Sequence, residues 1–162
     1  MDQIYGKATL LHDKHWDAHQ AHAGTLAPWL PGEFLSPPVN DAWCRPTLQQ
    51  PWALQLMMLD TDGDQWVFRR DPTVRGPLDS IGIQTEPGLV YLRPEIQLLY
   101  KARPEIQAKD QSDFELVLPL LAPRARAWLL VNLEKRFTTN HPWIRDLRKT
   151  ILGRFNACHT RT

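Results

Sequence analysis

Residues 52–70 read WALQLMMLDTDGDQWVFRR and carry the clearest strand pattern in the chain. The apolar run at residues 52–59 predicts one β-strand, and the alternating run at residues 65–70 predicts a second. The segment between them, residues 60–64, is rich in Asp and Gly, which is typical of a turn. The stretch therefore predicts a β-hairpin.

Downstream of this hairpin, the pattern predicts helices. Pro94, Pro123 and Pro142 each stand at an expected first helical position, where the missing N–H of proline is no loss. We expect helices at residues 94–102, 110–121, 123–137 and 142–152. Their apolar stripe is expected at Leu116, Leu120, Leu121, Trp128, Leu129 and Leu133.

Upstream of the hairpin, residues 1–15 predict a short helix and residues 16–22 alternate like a strand. The prolines between residues 28 and 51 leave little room for regular structure. Two further short strands are expected at residues 80–85 and 89–92.

These elements predict an α+β fold, a small mixed sheet with a β-hairpin followed by a C-terminal helical bundle. We expect an α/β part at residues 1–92 and a helical part at residues 93–162, in one continuous domain. A chain of 162 residues suffices for one domain with a core.

Composition excludes some classes of protein. The apolar runs are too short to span a bilayer, and residues 1–30 hold no stretch typical of a secretory leader. Cys44 and Cys158 cannot form a disulfide framework. We therefore expect a cytoplasmic protein.

Charge is divided unevenly along the chain. Residues 1–121 hold 10 Lys and Arg against 16 Asp and Glu, whereas residues 122–162 hold 9 against 2. A basic segment of this kind is suited to phosphates or nucleic acid. The favoured alternative is that these cations lie on the solvated faces of two helices.

Two clusters offer metal-ligating side chains. Residues 60–71 mimic a calcium loop, but its sixth position is Gln65 instead of glycine, so an acidic hairpin turn is the favoured interpretation. Four histidines would share one helical face, but the strand pattern favours exposed polar positions for His12, His15, His19 and His22. We expect no tight divalent-metal site in the chain alone.

A helix junction carries a more specific pattern. Lys101 and Arg103 end one predicted helix and Lys109 opens the next, where free amides also favour an anion. Asp110 and Asp113 lie in the expected first turn of the second helix. One of them is suited to cap the helix or to interact with its dipole, and the other to orient a lysine. The junction predicts a polyphosphate seat, and a capped helix with surface ion pairs is the alternative.

The segments PEIQLLYK (94–101) and KDQSDF (109–114) resemble bacterial nucleotidyltransferases of the aminoglycoside adenylyltransferase type. These belong to the DNA polymerase β-like nucleotidyltransferase superfamily. The likeness extends in the same order to WALQLMML (52–59), GDQWVFRRDP (63–72) and HPW (141–143). It covers about residues 16–147 and implies a small mixed sheet with flanking helices, then a helical bundle.

The resemblance also implies a chemistry. Such enzymes transfer a nucleoside monophosphate from Mg-NTP to a hydroxyl of a small molecule. Mg²⁺ ions held by an Asp-x-Asp pair and a third acid clamp the reacting oxygens. Carried over to this chain, the resemblance implies Lys101 and Lys109 as phosphate-binding residues, supported by Asp110 and Asp113.

The sequence also departs from the family's pattern. It holds no Gly-Gly or Gly-Ser pair, so the resemblance implies that the metal-binding Asp-x-Asp segment is missing before residue 1. The third acid belongs in the strand at residues 52–59, where Gln55 stands, and an amide cannot act as a base. Asp60 is the nearest carboxylate and the remaining catalytic candidate.

Three functions fit this sequence: a nucleotidyltransferase completed by an upstream segment or a partner chain, a non-catalytic binding module, and a nucleic-acid-binding domain using the basic C-terminal helices. We expect a nucleoside triphosphate as ligand, an unidentified small-molecule acceptor and no membrane. We also expect self-association through the sheet formed by residues 16–22 and 52–59, because missing first strands leave an uncovered edge.

Overall fold

The structure, a computed structural model, describes residues 16–30, 32–35, 39, 41–84 and 90–158. The chain divides into two compact units, Met1–Leu59 and Asp60–Thr162. Several small antiparallel sheets and four helices make up these units, which confirms the predicted α+β class. The described helices include none with the length and apolar character needed to cross a bilayer. The helix predicted at residues 1–15 lies outside the described residues.

The first unit contains a four-stranded antiparallel sheet in the order β2-β1-β3-β4. Its strands are β1 Asp17–His22, β2 Thr25–Pro28, β3 Asp41–Arg45 and β4 Leu54–Met57. The predicted strands at residues 16–22 and 52–59 are thus present as β1 and β4. The core of this unit is small and consists of Ala18, Trp29, Ala42 and Cys44, with Trp16, Leu35 and Leu56 packed against it.

Strand β3 corrects the expectation that the proline-rich segment lacks regular structure. It lies inside the sheet, pairing with β1 on one side and β4 on the other. Its burial alternates, because Ala42 and Cys44 face the core while their neighbours are half-buried. The flanking prolines only bound this strand, since they stand outside the paired residues.

The second unit begins with short strands. They are β5 Asp60–Asp62, β6 Gln65–Val67, β7 Arg75–Pro77, β8 Gly82–Gln84 and β9 Val90–Leu92, and residues 85–89 are outside the described part. β5, β6 and β7 form one antiparallel sheet, and β8 pairs with β9 in another. The predicted single mixed sheet is therefore replaced by three antiparallel ones.

The predicted hairpin exists, but with a different partner strand. β6 pairs with residues 60–62, which were expected to be a turn, while residues 54–57 pair with β3 in the first unit. The turn shrinks to Gly63-Asp64, and Gly63 adopts φ +60°, which glycine allows at the first central position of a hairpin turn. Acids are poor strand formers, but two arginines neutralise those of β5.

The helices follow the prediction closely. They are α1 Pro94–Lys101, α2 Ala108–Val117, α3 Pro123–Arg136 and α4 Pro142–Cys158. α2 gives way to a 3-10 turn at residues 118–120, because Pro119 has no N–H for the ladder. The tighter turn rotates the positions within it, and Leu120 is 83% exposed. Leu116, in α2 before this turn, is 70% exposed, so both residues are contrary to the predicted stripe. Leu121, Leu129 and Leu133 are buried as expected.

Candidate functional site

The junction predicted to seat a polyphosphate is occupied by an ion-pair cluster. Lys101 Nζ donates to Asp110 Oδ1 at 3.2 Å and to Asp113 Oδ2 at 2.5 Å. Asp110 is buried, whereas the side chain of Asp113 is 48% exposed. The hydrogen bond that Lys101 donates to Asp113 raises the pKa of Lys101, against the effect of its partial burial. The lysine charge is thus already opposed by two carboxylates.

The other residues of this junction take different positions. Asp110 makes no helix-capping hydrogen bond, because α2 begins earlier, at Ala108, after an N-cap at Gln107. Lys109 is exposed and forms no ion pair with any residue in the described part of the chain. Lys101 is thus held in an ion-pair cluster that is partly buried, without the cap that the alternative expected, and the phosphate-binding role of Lys101 and Lys109 stays a prediction.

The acids of the calcium-loop-like span are bound by arginines. Arg69 donates from Nε and Nη2 to the two oxygens of Asp60 at 2.7 Å each, and these bonds lower the pKa of Asp60. Arg75 Nη1 lies 2.9 Å from Asp62 Oδ2. The span therefore contains a salt-bridged hairpin, in which residues 60–62 form β5 and not the acidic turn that the favoured interpretation expected. The catalytic role of Asp60 remains untested, but its oxygens already accept two guanidinium hydrogen bonds.

Two of the predicted histidines lie on β1, and His12 and His15 are outside the described residues. His19 Nε2 lies 3.0 Å from Asp17 Oδ1, and its ring meets Trp52 edge to face at 5.3 Å. Within the described ranges, no group of three His, Cys, Asp or Glu side chains is placed to hold a metal ion.

A groove of about 460 Å³ runs along one face of α3. Its helical wall contains Arg124, Ala127, Trp128, Val131, Asn132 and Lys135, and its other wall contains Thr73, Val74 and Arg75. The helical residues recur every three or four positions, so they share one face. The half-buried Trp128 lies in the middle of that face and packs edgewise on the buried Trp66, with ring centroids 6.4 Å apart. The groove thus combines an aromatic surface with cations.

The cations of the groove differ in how fully they are paired. Arg75 binds Asp62 and the carbonyl of Pro72. Lys135 has a long contact of 3.4 Å to the amide oxygen of Asn132. Neither Lys135 nor the exposed Arg124 forms an ion pair with a described residue, so both keep their charge available to an anion.

Sequence reasoning missed this groove although it placed every helical member on a helix. The sequence pattern places Trp128 in the apolar stripe, and it favours solvated helix faces for the cations. The sequence does not show the opposite wall of the groove, because Val74 and Arg75 are brought beside α3 by the turn between β6 and β7. The signal in the sequence was Arg124, Trp128 and Lys135 at helical spacing on one face.

No family model, no curated protein and no solved structure matches this chain.

Proposed function

We propose that the chain binds a nucleoside triphosphate in the groove along α3. The observation that carries this proposal is the placement of Trp128 between two cations without ion-pair partners among the described residues, Arg124 and Lys135. A base stacks on an indole with a gain of about 1–3 kcal/mol, and phosphates favour guanidinium and ammonium groups. The resemblance to nucleotidyltransferases supplies the class of ligand.

Transfer of the nucleoside monophosphate to a small-molecule hydroxyl remains part of this proposal through the resemblance alone. Two-metal transfer needs carboxylates with available oxygens, while Asp60 and Asp62 are already bound by Arg69 and Arg75. Nucleotide binding is therefore the main function that we propose, and nucleotidyl transfer is the second. Pyrophosphate release from Mg-ATP, lost in Asp60→Asn, would reverse that order.

The test is titration calorimetry of the full chain with ATP, adenosine and tripolyphosphate. Trp128→Leu removes the stacking surface, so we expect about a tenfold weaker ATP affinity, with little change for tripolyphosphate. Arg124→Gln should weaken ATP and tripolyphosphate together. Arg145→Gln, which removes an exposed arginine on α4, is the matched control and should leave both unchanged.

The same titration separates the groove from the helix junction. Lys109→Gln removes the cation that the sequence placed at the phosphate seat, and Lys109 is exposed with no described ion pair to disturb. Loss of ATP binding in Lys109→Gln with normal binding in Arg124→Gln would move the site to the junction. Unchanged ATP binding in both Trp128→Leu and Arg124→Gln would refute the groove.

A nucleic-acid-binding function is the second candidate, favoured by the excess of cations in residues 122–162. A single-stranded oligonucleotide would use the same indole and cations, but with several phosphates bound at once. Its affinity should then exceed that of ATP and fall steeply with salt. A shallow salt dependence together with tighter ATP binding supports the nucleotide proposal.

A further inference from the structure

Three arginines of the second unit come close to one another without a carboxylate partner among the described residues. Arg45, Arg69, Arg75, Arg93 and Arg148 each lie within 4.0 Å of a carboxylate. By contrast, Arg70, Arg103 and Arg136 form no ion pair with any carboxylate of the described residues. These three residues are called the arginine cluster below. Arg70 lies in the turn after β6, Arg103 in the loop after α1, and Arg136 at the end of α3.

Aromatic and backbone contacts bring the cluster together. The guanidinium carbons of Arg70 and Arg136 lie 6.0 and 5.0 Å from the centre of the same buried ring, that of Phe68. Arg136 also lies over Phe137 at 4.8 Å. Arg70 Nη1 donates to the carbonyl of Tyr100 at 2.8 Å, which ties it to α1 just before Arg103.

The charges of the cluster act on one another. Burial lowers the pKa of Arg70, and the nearby charge of Arg103 lowers it further. Burial likewise lowers the pKa of Arg136, with a second contribution from Arg70 and an opposing one from Asp71. Asp71 Oδ1 accepts hydrogen bonds from the backbone N–H and the hydroxyl of Thr73, so that carboxylate is already engaged. Positive charge therefore predominates here.

The cluster also holds hydrogen-bonding capacity that the described residues do not use. Arg136 Nη1 is buried without a partner, and Arg136 makes no hydrogen bond or ion pair in the described part of the chain. Buried donors in proteins are nearly always paired, so an unpaired one calls for an explanation. Like charges held close together without a counter-ion also repel one another, and a bound anion removes both penalties.

We propose that Arg70, Arg103 and Arg136 form a binding site for a phosphate group, distinct from the groove proposed for the nucleotide base. Guanidinium groups present planar pairs of donors that match phosphate oxygens. Two of them over one ring, with the charge of a third nearby, favour a dianion over chloride. The site takes inorganic phosphate or the phosphate of a small ester, and both sources share this chemistry.

The test is thermal unfolding of the full chain in phosphate and in chloride at equal ionic strength. A ligand that binds the folded chain raises its melting temperature, and we expect about 3 °C from roughly 50 mM phosphate. Arg103→Gln should abolish this shift. Its melting temperature in chloride should equal or exceed that of the wild type, because one like charge is gone. Arg145→Gln, with the same change of charge on α4, should keep the phosphate shift.

A second variant and a second ligand complete the design. Arg136→Gln should also lose the phosphate shift, and Trp128→Leu should keep it, which separates this site from the nucleotide groove. AMP in place of phosphate shows whether the site takes a free ion or the phosphate of an ester. Equal melting in phosphate and chloride for the wild type, or an undiminished phosphate shift in Arg103→Gln and Arg136→Gln, would overturn the proposal.

Discussion

Asp110 is a carboxylate that folding has removed from water, since only 3% of the residue is exposed. Its partner Lys101 reaches it from the last residue of α1, so the pair joins two helices end to start. A buried charge is tolerated when a counter-ion and hydrogen bonds replace its water. The pair therefore acts first on stability, whatever else binds at this junction.

The two aspartates that share Lys101 should differ in their contributions to stability. Asp110→Asn leaves a lysine beside a buried neutral amide, and we expect the free energy of unfolding to fall by about 2 kcal/mol. Asp113→Asn removes the shorter contact, but its side chain is half-exposed, so the loss should stay below about 1 kcal/mol. Urea denaturation of both variants measures the difference. Equal losses would mean that contact distance outweighs burial here.

His141 makes the stability of the second unit depend on pH. Burial lowers its pKa below the usual 6.5, the hydrogen bond to the carbonyl of Arg103 partly opposes this, and the charge of Arg136 lowers it further. The unfolded chain therefore binds a proton at a higher pH than the folded chain, so stability present above pH 6.5 is lost as the pH falls through the folded pKa.

Unfolding measured at about pH 7.5 and about pH 5.5 tests this dependence. The wild type should be less stable at the lower pH, and His141→Gln should reduce the difference between the two values. His22→Gln, an exposed position on β1, serves as the control and should keep the wild-type difference. A wild type equally stable at both pH values would contradict the prediction.

The turn between β1 and β2 contains an alanine in a backbone conformation that is unfavourable for this residue. Ala23 has φ +48° and Gly24 φ +80°, so both lie in the left-handed region. A two-residue hairpin of this kind requires positive φ at both central positions and favours Asn-Gly. Alanine there has a Cβ atom close to the following carbonyl oxygen, at a cost of about 1 kcal/mol.

Ala23→Asn should therefore stabilise the first unit. We expect the free energy of unfolding to rise by about 0.5–1 kcal/mol, because asparagine tolerates the left-handed region better than alanine. Urea denaturation followed by circular dichroism measures the change. Ala27→Asn, in the exposed and extended β2, is the control and should not stabilise. Ala23→Asn proving no more stable than that control would refute the argument.

Elements with strong local signals were predictable, and those that depend on distant partners were not. Three prolines fixed where α1, α3 and α4 begin. β3 was not predicted because its buried residues, Ala42 and Cys44, are small and give only a weak apolar alternation. β5 was not predicted because its acids indicate a turn, and the sequence does not show that Arg69 and Arg75 pair with them.

At the scale of the whole chain, the candidate sites depended on pairings that a sequence does not display. The junction residues were found from their order along the chain, but the pairing of Lys101 with two aspartates was not. The groove and the arginine cluster needed residues 68–76 to approach α3, and that approach depends on the packing of Trp66 and Phe68. Long-range packing, not residue type, decided which cations remain unpaired.

The predicted self-association depends on which strand forms an edge of the sheet in the first unit. Residues 16–22 and 52–59 belong to the same sheet, in which β1 lies between β2 and β3, and self-association through this sheet stays a prediction. Among the described strands, β2 and β4 are the edges. β2 ends at Pro28, which discourages pairing, whereas β4 exposes Met57 to 62% and Leu54 to 40%. We therefore expect copies of the chain to associate through β4.

Sedimentation at about 50 µM should then show dimers in the wild type. Met57→Lys places a charge on the edge strand, which opposes pairing between identical strands, so this variant should sediment as a monomer. Thr25→Lys places the same charge on the exposed β2 and should leave the dimer intact. A monomeric wild type, or a dimer that Thr25→Lys disrupts and Met57→Lys does not, would exclude β4 as the contact. In either case the exposed Met57 and Leu54 would need another partner, because an apolar edge without cover promotes aggregation.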